Sequence, residues 1–311
     1  MVTLTDISAL RLWAHEGLGG QLGGPCSTRG LTWSSGSVKE LMKVAENTLK
    51  EVPTESNPLH VLVSGKEGRL QSHKVRNHIW SGALPAGSLY QLAPGIMIAS
   101  PELCCLQMAS QATLSRMVAL EMECLGLYGR VPGPRGFLDR RPLISKEELR
   151  SFLDDVQGHR GVNNARRALR WALESSRSPM ETNVAVIFTL PLELGGYGFC
   201  HPTLNYVVRP TPEEYPLCQA PYYSVDVCWP RQMVALEYNS YMEHMGHVAF
   251  DHDGMKRNSL EALGWKFIEV TKGQLSGDAL DVLARQLAKA LGAAYSQPDP
   301  GLRDRLLLEL V

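Results

Sequence analysis

Two acidic residues, Asp226 and Glu237, stand in apolar stretches that a short turn over 229–232 connects. The stretches alternate apolar and polar residues, which is typical of paired strands. The two carboxylates then become diagonal neighbours on one face of a hairpin, about 7–8 Å apart at Cα. Carboxylates placed together repel each other, and a hard divalent cation relieves that repulsion while it binds a substrate phosphate. The pair therefore predicts a site for Mg²⁺ (or Mn²⁺) that polarises a phosphodiester.

The short turn also sets the register that we expect for this hairpin. It pairs Cys228 with Met233, and further from the turn it pairs Asp226 with Ala235. One face of the hairpin is then apolar and consists of Val225, Val227, Val234 and Leu236. The opposite face carries Asp226, Ala235, Glu237 and Asn239.

A third carboxylate, Glu181, follows the segment Ser178-Pro179-Met180. Serine as N-cap, proline in the first turn and glutamate three residues after the cap predict the start of a helix. If that helix packs across the sheet, Glu181 reaches the carboxylates of the hairpin. The alternative is that Glu181 is a capping-box residue with no catalytic role.

The elements that must position these side chains follow from periodicity between 178 and 292. The pattern predicts a helix, three strands, a helix, a strand and a final helix. The strand-like runs are 205–209, 224–229, 233–238 and 265–270, and a helix covers roughly 254–263. The final helix carries one apolar face, made of Leu280, Leu283, Leu287 and Leu291.

Five strings in this region resemble, in order and spacing, the PD-(D/E)XK nuclease superfamily, in the bacterial branch related to very-short-patch-repair endonucleases. The strings are Ser178-Pro179-Met180-Glu181, Gly195-Gly196-Tyr197-Gly198, Val225-Asp226-Val227-Cys228-Trp229-Pro230, Ala235-Leu236-Glu237-Tyr238-Asn239, and Asp253 with Lys256, Leu260 and Gly264-Trp265. The resemblance covers about 178–292. It implies a restriction-endonuclease-like α/β core (αβββαβ), Mg²⁺ dependence and DNA cleavage. It also implies that Asp226 and Glu237 bind the metal and that Glu181 is the acidic residue of the first core helix.

One position departs from the family's pattern. The motif ends with lysine two residues after the second acid, where the closest branch commonly has aspartate, and this chain has Asn239. An amide is neither a charged stabiliser of the transition state nor a general base. Lys256 could instead face the scissile phosphate from the following helix, or His244 or His247 could act as a near-neutral base. Asp253 completes the auxiliary candidates, and a zinc cluster built on these histidines is the alternative interpretation.

Positive charge is concentrated between 130 and 177, where eleven Lys and Arg stand against six Asp and Glu. The first part of this segment is rich in proline and glycine, which predicts a linker that leads into a helix. Such a stretch could follow a phosphate backbone. The candidate contacts are Arg140, Arg141, Arg166, Arg167 and Arg170. The alternative is a solvated connector between domains.

The N-terminal region, about 1–130, predicts an α+β domain that recognises a partner or DNA. Residues 59–128 resemble the middle region of abortive-infection type IV antitoxin proteins, which are DNA-binding regulators. The positions that carry this resemblance are Lys74, Arg76, His78, Leu84-Pro85, Gly95 and Ser100-Pro101-Glu102. A generic α+β domain is the alternative.

Length, net charge and cysteine content limit the number of domains and the classes of protein to be considered. The chain has 311 residues and a formal net charge of −1, so it accommodates about two domains, and its overall charge favours no polyanionic partner. Seven cysteines without a CxxC pair are typical of a reducing compartment, and we find neither a signal peptide nor a membrane span. We expect a cytoplasmic protein with a domain at 1–130, a basic linker and helix at 131–177, a nuclease-like domain at 178–295 and a tail at 296–311.

These observations favour a metal-dependent DNA endonuclease-like protein that hydrolyses phosphodiester bonds in phage defence or DNA repair. The first alternative is a catalytically inactive, antitoxin-like DNA-binding regulator on a degenerate nuclease fold. A third reading is an interaction module with no role on nucleic acid. The sequence leaves self-association open, and it contains no P-loop, nucleophile-elbow or HExxH motif.

Overall fold

Secondary structure covers both halves of the chain in a computed structural model that describes residues 1–15, 18–26, 37–81, 83–239 and 247–310. The side chains of 19, 21 and 247–253 also lie outside the description. The chain divides into unit 1 (Met1–Arg170) and unit 2 (Trp171–Val311). Both units mix helices and strands.

Unit 1 contains a five-stranded sheet in the order β3-β2-β1-β5-β4. Its strands are β1 (Val2–Leu4), β2 (Leu59–Val63), β3 (Val75–Ile79), β4 (Leu89–Ala93) and β5 (Ile96–Ala99). β1 runs parallel to β5 and antiparallel to β2, which in turn runs parallel to β3. A separate antiparallel pair joins β6 (Tyr128–Arg130) to β7 (Phe137–Asp139). β2, β4 and β5 form from short apolar runs separated by turn residues, a pattern typical of strands.

Unit 1 contains seven described helices, and a serine or threonine side chain caps four of them. Ser37 caps α3 in a reciprocal capping box with Glu40, and Ser145 caps α6 in the same way with Glu148. These helices are α1 (Asp6–Trp13), α2 (Leu18–Gln21), α3 (Val38–Thr48), α4 (Pro101–Met108), α5 (Leu114–Cys124), α6 (Lys146–Asp155) and α7 (Val162–Leu169). No helix in the described ranges has the length and the apolar character that crossing a membrane requires.

The segment 131–177, which the sequence predicts as a basic linker and helix, is folded over most of its length. It contributes β7, α6 and α7, and it belongs to unit 1 as far as Arg170. Proline and glycine at 132–136 form the turn between β6 and β7 rather than an interdomain connection. The two compact units therefore meet after Arg170, within the segment 131–177.

Unit 2 follows the element order that the sequence predicts. Its elements are α8 (Pro179–Thr189), β8 (Thr203–Val208), β9 (Tyr223–Trp229), β10 (Val234–Asn239), α9 (His247–Ala262), β11 (Lys266–Thr271), α10 (Gly277–Leu291) and α11 (Pro300–Leu310). The sheet has the order β11-β10-β9-β8. β8, β9 and β10 pair antiparallel, and β10 pairs parallel with β11, so α9 is the crossover between them.

The register of the β9–β10 hairpin differs from the expected one by two residues. Cys228 pairs with Ala235, and not with Met233, while Trp229 pairs with Val234. Met233 adopts the left-handed conformation (φ 52°) and therefore belongs to the turn. A shift of two residues keeps every side chain on its expected face. Continuing this register places Asp226 directly opposite Glu237 rather than diagonal to it.

Helix α8 is the buried centre of unit 2. All its residues from Glu181 to Thr189 are buried, and Ser178 accepts the Glu181 backbone N–H at 3.1 Å, as predicted. The glycines that follow α8 lie in a turn. Gly196 is required there because a Cβ at this position would lie 2.1 Å from the Leu190 carbonyl oxygen.

The C-terminal segment that the sequence predicts as a tail, 296–311, contains a packed helix, α11. Buried Arg303 forms an ion pair with buried Asp281 of α10. Asp281 also accepts a hydrogen bond from the Tyr197 hydroxyl at 2.6 Å and one from the Gln297 side chain at 3.0 Å. The Asn183 side chain of α8 donates to the Leu310 carbonyl at 3.1 Å. α11 is therefore part of unit 2.

Candidate functional site

Asp226 of β9 and Glu237 of β10 are held side by side through the backbone of the hairpin. The Asp226 backbone N–H donates to Glu237 Oε1 at 3.2 Å, and the Tyr238 backbone N–H donates to Asp226 Oδ2 at 3.0 Å. Each carboxylate thus accepts a hydrogen bond from the strand that carries the other. The arrangement brings the predicted pair together and fixes it on two rigid strands.

Lys256 of α9 joins this pair. Its Nζ lies 2.7 Å from Glu237 Oε2, and the side chains of Lys256 and Glu237 are 25% and 16% exposed. The crossover between β10 and β11 positions the lysine, because α9 returns along the sheet that carries the hairpin. The lysine that the sequence singles out thus lies against one of the two predicted metal ligands, and it is partly exposed to solvent.

Glu181 enters the site from α8. Its Oε2 accepts the Arg177 backbone N–H at 2.9 Å and the Asn205 side-chain amide at 2.6 Å, and its Oε1 accepts the Ser178 hydroxyl at 3.1 Å. Three donors thus hold a carboxylate that is 7% exposed. Asn205 is a partner that sequence reasoning missed, because an asparagine within a strand-like run carries no distinctive signal.

The site concentrates negative charge on carboxylates that are largely shielded from solvent. Burial raises the pKa of Glu237 to about 7, Asp226 adds to the shift, and Lys256 opposes it. Burial likewise raises the pKa of Glu181 to about 7, and Asp226 again contributes. Because Asp226 acts on both glutamates, it is the central carboxylate of the three. One ammonium group does not balance three carboxylates, so the site favours additional positive charge or a proton.

Asn239 and the residues around it extend the polar end of the sheet. The Asn239 amide donates to Glu269 Oε1, and the parallel register places Glu269 beside Glu237. Glu269 is exposed and was missed by the sequence analysis, since a single acid in a strand is a weak signal. His244 lies outside the described residues. His247 and Asp253 belong to α9, but their side chains lie outside the description.

The predicted nucleic-acid contacts separate into two groups. Arg140 is buried and donates to the carbonyls of Gly126, Arg141 and Glu123 at 2.8–3.1 Å, so it is a structural residue and the expected phosphate contact is wrong. Arg166 donates to the carbonyls of Leu153 and Val156 at 2.6 and 3.3 Å, where it satisfies the end of α6. The exposed members of the set are Arg141, Arg167 and Arg170.

A second cluster of metal-ligating side chains lies in unit 1, where the sequence analysis placed none. Asp6, His60 and His78 could hold a metal ion, because one ligand atom from each lies within 4.8 Å of the others. Among the described residues, this is the one group of three or more such side chains that meets that distance. The three ligands are far apart in sequence, so no spacing motif signals them.

Comparisons with known proteins add little to this picture. No family model matches the chain, and no solved structure matches it. The chain is 25% identical over 126 residues to "Uncharacterized protein MT2308" and "Uncharacterized protein Rv2248" of Mycobacterium tuberculosis, strains CDC 1551 and H37Rv. The match covers 40% of this chain and 42% of each relative. The chain thus spans less than half the length of these relatives.

The donor set of unit 2 fits a hard divalent cation. Asp226 and Glu237 offer carboxylate oxygens, and Mg²⁺ is commonly held by one or two carboxylates together with waters and substrate phosphate. Burial is the main cause of the raised pKa of Glu237 and the charge of Asp226 adds to it, so a cation bound between the two carboxylates would offset this second contribution. Glu181, already held by three donors, is suited to support this pair rather than to bind the ion.

Proposed function

We propose that unit 2 is a metal-dependent nuclease that hydrolyses phosphodiester bonds in DNA, with Mg²⁺ or Mn²⁺ held by Asp226 and Glu237. One observation carries this proposal: two strand carboxylates, a helix lysine and a third buried carboxylate converge at one place. The αβββαβ order agrees with what the PD-(D/E)XK resemblance implies, which also supports the proposal. A divalent ion, when bound, would supply electrophilic polarisation of the scissile phosphate.

The side chains of the chain itself then divide the work. Lys256 leaves Glu237 in part and places its ammonium group against a non-bridging phosphate oxygen, where it stabilises developing negative charge. Glu181 takes up a proton as the pH falls through about 7, because burial and the charge of Asp226 raise its pKa, so it limits the negative charge beside Asp226. The exposed Arg141, Arg167 and Arg170 of unit 1 supply positive charge for a nucleic-acid backbone.

A second candidate is a DNA-binding regulator that cuts nothing. Asn239 favours it, because this position lacks the lysine of the nuclease motif and its amide is hydrogen-bonded to Glu269. The ion pair of Lys256 with Glu237 points the same way, since it partly satisfies the site without a metal.

A plasmid-nicking assay with Mg²⁺ or Mn²⁺ separates the two candidates. Asp226→Asn removes a ligand charge but keeps the acceptor oxygen for the Tyr238 N–H, so we expect cleavage to fall by at least ~100-fold with the fold intact. Asp278→Asn, at an exposed position in the first turn of α10, is the matched control and should cut like wild type.

The four outcomes have different meanings. Cleavage lost in Asp226→Asn alone supports the nuclease. Equal cleavage by both variants overturns it, because the activity then comes from another site or from a contaminant. A wild type that does not cut but binds DNA with strong salt dependence supports the regulator. A DNA affinity that does not change with salt concentration would contradict both candidates, because both require contacts to phosphates.

A further inference from the structure

Three side chains, one from the start of α1 and two from neighbouring strands, meet at one point of the unit 1 sheet. Asp6 is the first residue of α1, two residues after the end of β1, while His60 lies in β2 and His78 lies in β3. The sheet order β3-β2-β1 makes these elements adjacent. The site therefore stands on a rigid sheet and does not depend on a loop.

The donor atoms are spaced as ligands of one ion. One ligand atom from each of Asp6, His60 and His78 lies within 4.8 Å of the other two. His78 Nε2 lies 2.9 Å from His60 Nδ1, and His60 Nδ1 lies 3.1 Å from Asp6 Oδ1. Donors 2.0–2.1 Å from a tetrahedral ion lie about 3.3–3.4 Å from each other, so two of the three pairs are already close to the spacing that one ion requires.

Hydrogen bonding alone satisfies this arrangement poorly. His60 Nδ1 faces both a carboxylate oxygen and a ring nitrogen, yet one imidazole nitrogen carries either a proton or a lone pair. A proton there is shared between two acceptors, and a lone pair there faces the carboxylate of Asp6. A cation at the centre satisfies all three groups at once.

The surroundings are prepared for a small ion. The side chains of Asp6, His78 and His60 are 10%, 12% and 17% exposed, so the site is enclosed but reachable. The Ser8 hydroxyl accepts the His60 backbone N–H at 3.0 Å, and the Ile7 backbone N–H donates to Asp6 Oδ1 at 2.7 Å. Such outer contacts orient ligands before the metal arrives.

We propose that Asp6, His60 and His78 form a mononuclear site for a divalent transition metal of the zinc class in unit 1. Two imidazoles and one carboxylate select Zn²⁺ or Co²⁺ over Mg²⁺ or Ca²⁺, which prefer oxygen ligands alone. Three protein ligands leave a fourth position for water or a ligand. Because the ion would link the first turn of α1 to two strands, it also fastens this side of the sheet.

The test uses the full chain after removal of metal with a chelator that is then dialysed away. Zn²⁺ is titrated in competition with a chromophoric chelator, and Co²⁺ is followed by its visible absorption. We expect one tight equivalent in wild type and a loss of affinity of more than about 100-fold in Asp6→Asn, His60→Gln and His78→Gln, because loss of outer contacts alone costs 10- to 100-fold. Mg²⁺ should not compete.

Two controls keep the result specific. His73→Gln alters a histidine that is 89% exposed and should bind like wild type. Asp226→Asn, in unit 2, should keep the tight equivalent, so this outcome is independent of the nuclease proposal. Asp6→Asn preserves side-chain shape and tolerates the left-handed backbone of position 6 (φ 53°), so it carries the test if a histidine variant misfolds. Wild type without a tight equivalent, or a tight equivalent that survives all three substitutions, overturns the proposal and leaves a hydrogen-bonded triad only.

Discussion

The two clusters of ionisable side chains, one in each unit, place a buried carboxylate in opposite surroundings. Burial acts to raise the pKa of Asp6, yet the hydrogen bond from His60 and the charge of His78 outweigh it and hold the pKa below its ordinary value. In unit 2, burial and a neighbouring carboxylate raise the pKa of Glu181 and of Glu237 to about 7. The partners of a carboxylate, more than its burial, therefore decide which ion or proton it accepts.

This difference has a chemical consequence. The unit 1 cluster offers two imidazole nitrogens and one carboxylate, a mixed set of donors that suits a metal ion of intermediate softness such as Zn²⁺. The unit 2 site offers oxygen donors with excess negative charge, which suits a hard cation that brings a phosphate with it. Four predictions test this contrast and the roles given to charged side chains in the two units.

The largest effect is expected at Lys256. Lys256→Met should lower single-turnover DNA cleavage by roughly 100- to 1,000-fold, since an ammonium group beside the reacting phosphate contributes a few kcal/mol. Lys256→Arg should retain part of the wild-type rate. Lys272→Met, the control at an exposed position, should cleave at the wild-type rate. Calorimetry should show Mn²⁺ binding by Lys256→Met at pH 8. Cleavage within threefold of wild type would refute the role of the lysine.

The next effect concerns two adjacent arginines with different burial. Arg140→Met should destabilise unit 1 by about 3 kcal/mol, because three backbone carbonyls lose their donor. Arg141→Met, at an exposed position, should change stability by less than about 0.5 kcal/mol. Urea unfolding gives the free energies, and hydrogen exchange of peptides from β6 and β7 shows whether the loss lies in unit 1. Equal effects at both positions would mean that Arg140 does not hold the β6–β7 region.

A smaller, pH-dependent effect is expected at Glu181. Its folded pKa of about 7 exceeds the ordinary value of 4.5, so its contribution is fully favourable below about pH 4.5 and is lost as the pH rises through 7. Glu181→Gln keeps an acceptor oxygen for Asn205 and removes the charge, so it should stabilise unit 2 by about 2 kcal/mol at pH 8 and hardly at pH 5. Denaturant midpoints at both pH values test this. Exposed Glu193→Gln is the control, and a gain that is equal at both pH values would contradict the assignment.

The smallest effect on stability is expected at the exposed arginines of α7 and its end. Arg167→Gln with Arg170→Gln should change the free energy of unfolding by less than about 0.5 kcal/mol. If both arginines contact phosphates, the slope of log affinity against log salt for DNA should fall by about 2. Lys39→Gln with Lys43→Gln removes the same charge from α3 and should leave the slope unchanged. Equal slopes for the two double variants would remove α7 from the interface.

The sequence predicts the elements of unit 2 well because its signals are local. A serine cap, a leucine stripe and two alternating stretches depend on neighbours along the chain, and α8, α10 and the β9–β10 pair appear where these patterns place them. The predicted register of the β9–β10 hairpin is wrong because of a local feature that the sequence does not signal. Met233 takes a left-handed conformation that methionine rarely adopts, so composition gives no warning that the turn includes it.

The unit 1 cluster was not predictable in the same way. Asp6, His60 and His78 come together because β1 and β2 pair antiparallel while β2 and β3 pair parallel, which is a property of topology. The phosphate contact predicted for Arg140 is wrong for a related reason, because an arginine in a proline- and glycine-rich stretch is typical of an exposed linker. Its burial depends on carbonyls contributed by α5 and the turn that follows it.

The buried contacts of Asp281 decide how much of the chain an excised unit 2 must keep. An excised fragment that stops at residue 295 would lose both Gln297 and Arg303 and would leave an aspartate in the protein interior with the Tyr197 hydroxyl as its remaining described contact. An uncompensated charge of this kind typically costs several kcal/mol, which is comparable to the whole stability of a small domain. A fusion protein or minimal enzyme built from this half should therefore retain the chain through Leu310.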